Sequence, residues 1–177
     1  MMRCGPAPDY DKTCWFGIKH SLGLDFPNLP YYVDGDLKIT QSNAILRYIA
    51  RKHDMLGKTE EEKVRVDIMG EQSMDFRNGM VRLAYNPNFD QMKGPYLEAL
   101  PEKLEAFQNF LGSRPWFAGE SLTFPDFIMY ELLDQHRELD RALCQKYTKL
   151  MEFLDRFEKL PKIEAYMKSG RYVVHDG

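Results

Sequence analysis

Apolar positions along the chain keep two rhythms, and the change falls near Gly57. Before it, "PYYVDG" is a β-rich run ending in Asp34-Gly35, a dipeptide that favours a tight hairpin turn, and "LKIT" follows as a second short strand. Ala44, Ile45, Tyr48 and Ile49 then recur at helical spacing through "QSNAILRYIARKH". A helix is expected there, with Thr40 as its N-cap and Lys52 and His53 in the last turn, where cations are favoured. Beyond Gly57 the period is helical almost throughout. "TEEEK" opens a helix with a capping box, Thr59 followed three residues later by Glu62, and "NPNFD" at 86–90 ends it. Leu97, Leu100, Leu104, Phe107 and Leu111 form one buried stripe, with Pro101 expected to kink that helix or to mark its start. "GSRPWFAGE" reads as a loop, Thr123 as the cap of the next helix with Asp126 at its third position, and Leu150, Phe153, Leu154 and Phe157 as a further stripe. Pro161 then opens "KIEAYMKS". The predicted fold class is α+β, mostly α: a ββα unit over residues 1–56, then an all-helical domain over 57–177.

Composition narrows the function classes. With 44% hydrophobic and 29% charged residues over 177 positions, the chain is globular. A net charge of −3 supplies no basic face for nucleic acid. Cys4, Cys14 and Cys144 are few, odd in number and without a CxxC pair, which fits a reducing cytoplasm and no disulfide framework. The start "MMRCGPAPDYDK" has no apolar stretch of a signal peptide, and no run reaches the length of a membrane span. His20, His53, His136 and His175 are scattered without ligand spacing, so no metal is expected. P-loop, GxGxxG and GxSxG signatures are absent.

The candidate chemistry lies mostly in the first third. Gln41 and Ser42 open a helix, and a helix N-terminus attracts a carboxylate or phosphate; the same run also reads as plain capping. Asn28-Leu29-Pro30 enters the first strand, and a cis bond before Pro30 would turn the Leu29 backbone towards an extended peptide; an ordinary loop reads equally well. Trp15 and Lys19 share a face if helical and would clamp a second carboxylate, or else they are a core tryptophan beside a solvated lysine. Asp75 and Tyr85 sit on one long helix, where a charge is ordinarily solvated and an aromatic is ordinarily core. Two anion sites, an open backbone and a spare carboxylate suit a short extended peptide with two carboxylates and one ammonium, the charge layout of glutathione.

The segments "APDYDKTCW", "LGLDFPNLPYYVDGDLKITQSNAILRYIARKH", "TEEEKVRVDI", "RPWFAGESLTFPDF" and "KIEAYMKS" resemble mu-class glutathione S-transferases from about Gly5 to Arg171. The loop "LDFPNLP" is similar to that class in particular. The resemblance implies a thioredoxin-like domain followed by an all-helical domain, a cytoplasmic dimer, and conjugation of reduced glutathione, as co-substrate rather than cofactor, to hydrophobic electrophiles. It implies that Trp15 and Lys19 hold the glycine carboxylate and that Asn28 and the Leu29 backbone hold the peptide. Gln41 and Ser42 bind the γ-glutamyl carboxylate, Asp75 reaches the ammonium of the ligand on a partner subunit, and Tyr85 faces the electrophile. Phe26 and Arg47 are implied dimer contacts.

The likeness begins after the βαβ unit that bears the family's thiolate-binding tyrosine, so a shortened chain is expected, with a shortened C-terminal tail as well. Tyr10 and Tyr31 do not stand where that motif puts the hydroxyl, and no catalytic residue is assigned. Three readings follow: a transferase by family, a catalytically impaired glutathione-binding subunit that modulates dimers, as homodimer or as heterodimer with mu-class chains, or a helical interaction scaffold with no ligand.

Overall fold

The computed structural model describes residue 5 and residues 11–170. Cys4, Tyr10, His175 and the run "YVVHDG" therefore lie outside the described residues, as do the expectations attached to them. The chain divides into two compact units, Met1–His53 and Asp54–Gly177.

In the first unit, Asp11 begins the helical turn α1 (Thr13–Phe16). Its carboxylate accepts the Thr13 N–H at 2.9 Å and the Thr13 hydroxyl at 2.7 Å, and these bonds hold its pKa below the usual value. The turn continues past Phe16, because the Lys19 N–H donates to the Trp15 carbonyl at 2.9 Å. Strands β1 (Tyr31–Asp34) and β2 (Leu37–Thr40) pair antiparallel, with Tyr31 opposite Thr40 and Asp34 opposite Leu37. The hairpin loop is Gly35-Asp36, one residue later than the Asp34-Gly35 expectation. Gly35 takes φ +60° at the first loop position, which a residue with a Cβ enters only with strain, and Asp34 remains the last strand residue.

Helix α2 (Ser42–Lys52) packs on both strands. Tyr48 and Lys52, one turn apart on α2, both donate to Asp34 Oδ2, the tyrosine at 2.7 Å. The hairpin end is thereby fixed to the helix, and Lys52 followed by Tyr48 holds the Asp34 carboxyl below its usual range. The expected cap Thr40 is instead the last residue of β2. Gln41 stands at the N-cap, with φ 74° and no side-chain capping bond. The sheet ladder takes the backbone of Thr40, so the chain turns into the helix one residue later.

The second unit is helical: α3 (Glu60–Ala84), α4 (Phe89–Leu111), α5 (Phe124–Leu139), α6 (Arg141–Cys144), α7 (Thr148–Glu158) and α8 (Pro161–Met167). Helix α5 packs on α3, α6 and α7, and α4 packs on α3 and α7. The capping box at Thr59 and Glu62 is formed. Leu150, Phe153, Leu154 and Phe157 are all buried, as the stripe predicts. Pro101 does not mark a start: α4 runs from Phe89 through both Pro95 and Pro101. Each proline forgoes one helical N–H···O bond, and burial of Leu100 and Leu104 on either side of Pro101, each 1% exposed, offsets that loss. The Pro101 carbonyl also receives the Tyr147 hydroxyl at 3.1 Å.

Two polar centres, one buried and one half-buried, organise the middle of this unit. Asp126, 0% exposed, accepts the Phe117 N–H at 2.9 Å and both the N–H and the hydroxyl of Thr123 at 2.8 Å. Arg65 braces the same loop from α3: its guanidinium donates to the Phe110 and Phe117 carbonyls and lies 3.9 Å from the Phe110 ring centroid.

Candidate functional site

The α2 N-terminus carries the clearest ligand geometry. The first intrahelical bond runs from the Ile45 N–H to the Gln41 carbonyl at 3.0 Å, so the N–H groups of Ser42, Asn43 and Ala44 precede the ladder. No side chain caps them, and the first turn holds no acidic residue. The positive end of an 11-residue helix is thus left open. Asn43 adds a feature that the sequence reading passed over: its Oδ1 is buried with no hydrogen-bond partner among the described residues. Its place in "TQSN", directly after Ser42, is the one signal that could have marked it.

The remaining first-unit residues form a local series. Trp15 is 8% exposed and stacks on Tyr31 at 6.1 Å between centroids. Lys19, backbone-bonded one turn later, carries its ammonium 5.7 Å from the Phe16 ring centroid. Asn28 Oδ1 accepts the Leu29 N–H at 2.9 Å, the Leu29–Pro30 peptide is cis, and Leu29 is exposed. Phe26 stands 74% exposed, a large apolar side chain left in water. Arg47 lies on α2, half-buried.

Asp75 and Tyr85 belong to the second unit. They are ten residues apart on the α3 segment, about 15 Å along its axis, so they do not meet in one contact. Asp75 borders a groove of about 230 Å³ between α3 and α4, with Gln72, Glu102 and Lys103. Tyr85 is the C-cap of α3 and is 86% exposed.

Comparison with known proteins accounts for both units. Residues 2–51 match the family model of the glutathione S-transferase N-terminal domain, and residues 74–170 match that of the C-terminal domain. Human glutathione S-transferase Mu 5 is 56% identical over 169 residues, 96% of this chain and 78% of the relative. Glutathione S-transferase Mu 1 of Bos taurus is 54% identical over the same shares. Among solved structures, the glutathione S-transferase Blo t 8 superposes with a TM-score of 0.83 at 34% identity, over 90% of this chain and 76% of that one. A pi-class enzyme of Onchocerca volvulus gives 0.80 at 32% identity, over 88% and 76%. These relatives are transferases by name, and the reading as a dimer-modulating subunit finds no support in them. The chain belongs to the glutathione S-transferase family, and its relatives are of the mu class.

Proposed function

We propose that this chain binds reduced glutathione through its first unit and serves conjugation of the glutathione thiol to hydrophobic electrophiles. The observation that carries the reading is the uncapped N-terminus of α2, where Ser42 and its neighbours leave backbone donors for a carboxylate. In this reading Gln41 and Ser42 take the γ-glutamyl carboxylate, and Trp15 and Lys19 take the glycine carboxylate. Asn28 holds the Leu29 backbone against the peptide. Asp75 supplies the ammonium partner to a neighbouring subunit's ligand, Phe26 and Arg47 make the dimer contact, and Tyr85 faces the electrophile. The exposure of Phe26 supports its part, since a protein interface is a natural place for a large apolar side chain. The compartment that suits this chemistry is the cytoplasm.

A free thiol with a pKa near 8.5 is only a few per cent thiolate at neutral pH, and lowering it by one unit takes about 1.4 kcal/mol. The reading gives these side chains the work of binding and orienting the tripeptide and assigns catalysis to none of them. Calorimetry with glutathione tests it, paired with a conjugation assay on a reactive aryl halide. Ser42→Ala removes one charge-assisted bond and weakens binding by about 1.5–3 kcal/mol. No heat of binding to the parent chain at millimolar glutathione overturns the reading.

A further inference from the structure

Two aromatic rings stand against the pair that takes the glycine carboxylate in the proposed glutathione reading. Trp15 and Lys19 lie one helical turn apart: the Lys19 N–H donates to the Trp15 carbonyl at 2.9 Å, which sets both side chains on one face. The Tyr31 ring lies 6.1 Å from the Trp15 ring, with 19° between their planes. Tyr31 is itself fixed, since it opens β1 and pairs opposite Thr40. The Lys19 ammonium lies 5.7 Å from the centroid of the Phe16 ring, inside the range of a cation–π attraction. Phe16 is 59% exposed and so has no part in a core.

Both polar heads are unspent. Lys19 enters no ion pair among the described residues. The Trp15 side chain is buried, yet its indole N–H makes no hydrogen bond among the described residues, where Asn43 Oδ1 alone is a buried side-chain atom without a partner. The indole nitrogen therefore reaches the surface, where it can donate. Fixing a free lysine and a free indole on an anion costs rotamer freedom. A ring that holds each head beforehand reduces that cost.

We propose that Phe16 and Tyr31 are positioning residues for this clamp: the Phe16 ring holds the Lys19 ammonium, the Tyr31 ring holds the Trp15 indole, and together they make the first unit select a peptide that ends in a free carboxylate. The proposal rests on the reading that Trp15 and Lys19 take the glycine carboxylate, and adds to it the two side chains that act through them. Phe16 has no donor to offer a carboxylate, so its effect passes through Lys19.

Calorimetry of the full chain with two ligands tests this: reduced glutathione, and its glycine ethyl ester, which keeps the peptide and loses the terminal charge. The parent chain binds glutathione about tenfold more tightly than the ester. Phe16→Leu weakens glutathione by about threefold and Tyr31→Leu by about fivefold, while ester affinity changes by less than about twofold. Phe16→Tyr and Tyr31→Phe keep a ring at each position and restore the preference for glutathione. In a Lys19→Gln chain, Phe16→Leu has no further effect. That arm stands even where Tyr31→Leu fails to fold, because Phe16 is exposed. Unchanged glutathione affinity in Phe16→Leu, equal losses for the two ligands, or a loss that persists in the Lys19→Gln chain overturns the proposal and leaves the glutathione reading standing. Absence of saturable glutathione binding to the parent chain overturns both.

Discussion

Helices α2 and α5 start in opposite ways. The mouth of α5 is sealed: Asp126 collects three donated hydrogen bonds, from Phe117 and Thr123, in a place water does not reach. The mouth of α2 is open, with Gln41 in a left-handed conformation, no side-chain cap and no acid in the first turn. A helix start leaves N–H groups outside its ladder. At α5 they are met: Phe124 donates to the Met55 carbonyl and Asp126 to the Thr123 carbonyl, each at 3.1 Å, and Pro125 has no N–H to place. At α2 no side chain of the first turn meets them, and the proposed glutathione reading rests on that difference.

The contrast breaks most visibly at its sealed end. Asp126→Ala strands buried donors and is expected to cost about 3–5 kcal/mol, read as a drop in urea midpoint, whereas Ser42→Ala hardly moves that midpoint. If both substitutions destabilise equally, the two mouths are not different in kind.

Titration of Asp126 sharpens the same point. Burial pushes its pKa up to about 6, against the hydrogen bonds from Phe117 and Thr123. The folded value exceeds that of the unfolded chain, near 4, so protonation favours the fold. The contribution of this group is complete below pH 4 and is lost as pH rises through about 6. Urea midpoints at pH 4 and pH 7 should differ less in Asp126→Asn than in the parent chain.

A carboxylate placed in the open mouth should act in two opposed directions. Ala44→Glu sits at the third helical position and faces solvent. It should stabilise α2 by about 0.5 kcal/mol through the helix dipole, while glutathione affinity falls by about 1–2 kcal/mol. A gain in both would show that the ligand does not use this end. Thr59→Ala, at the solvent-facing box of α3, is a smaller test, expected to cost about 1 kcal/mol of stability without touching affinity.

The stripes of α4 and α7 were legible because one period dictates both helix and core: Leu104 and Leu150 each answer to it. The family likeness was legible from quoted segments, whereas "TQSN" left plain capping and anion binding both open. Features that depend on partners distant in sequence were not legible. Nothing in "LTFPDF" says that the Phe117 N–H, nine residues upstream, completes the Asp126 shell. The start expected at Pro101 lost to tertiary burial, and the Thr40 expectation lost to the strand ladder. The pairing of Tyr96 with His136 spans 40 residues and has no local signature.

Glu62 has a consequence beyond its own helix. Besides closing the Thr59 box, its side chain occupies the space where two glycines would otherwise carry a methyl group. A Cβ on Gly57 would meet Glu62 Cβ at 2.8 Å, and one on Gly119 would meet Glu62 Oε1 at 2.6 Å. Gly57 also sits at φ +84°, so its freedom is demanded twice, whereas Gly119 is a glycine on account of this neighbour. The side-chain sizes that fit at 62 and 119 are then coupled. Gly119→Ala should be harmful beside Glu62 and nearly silent beside Glu62→Ser, a non-additive cycle in which the harm belongs to neither substitution alone. A single steric contact thus joins positions 57 residues apart in the chain.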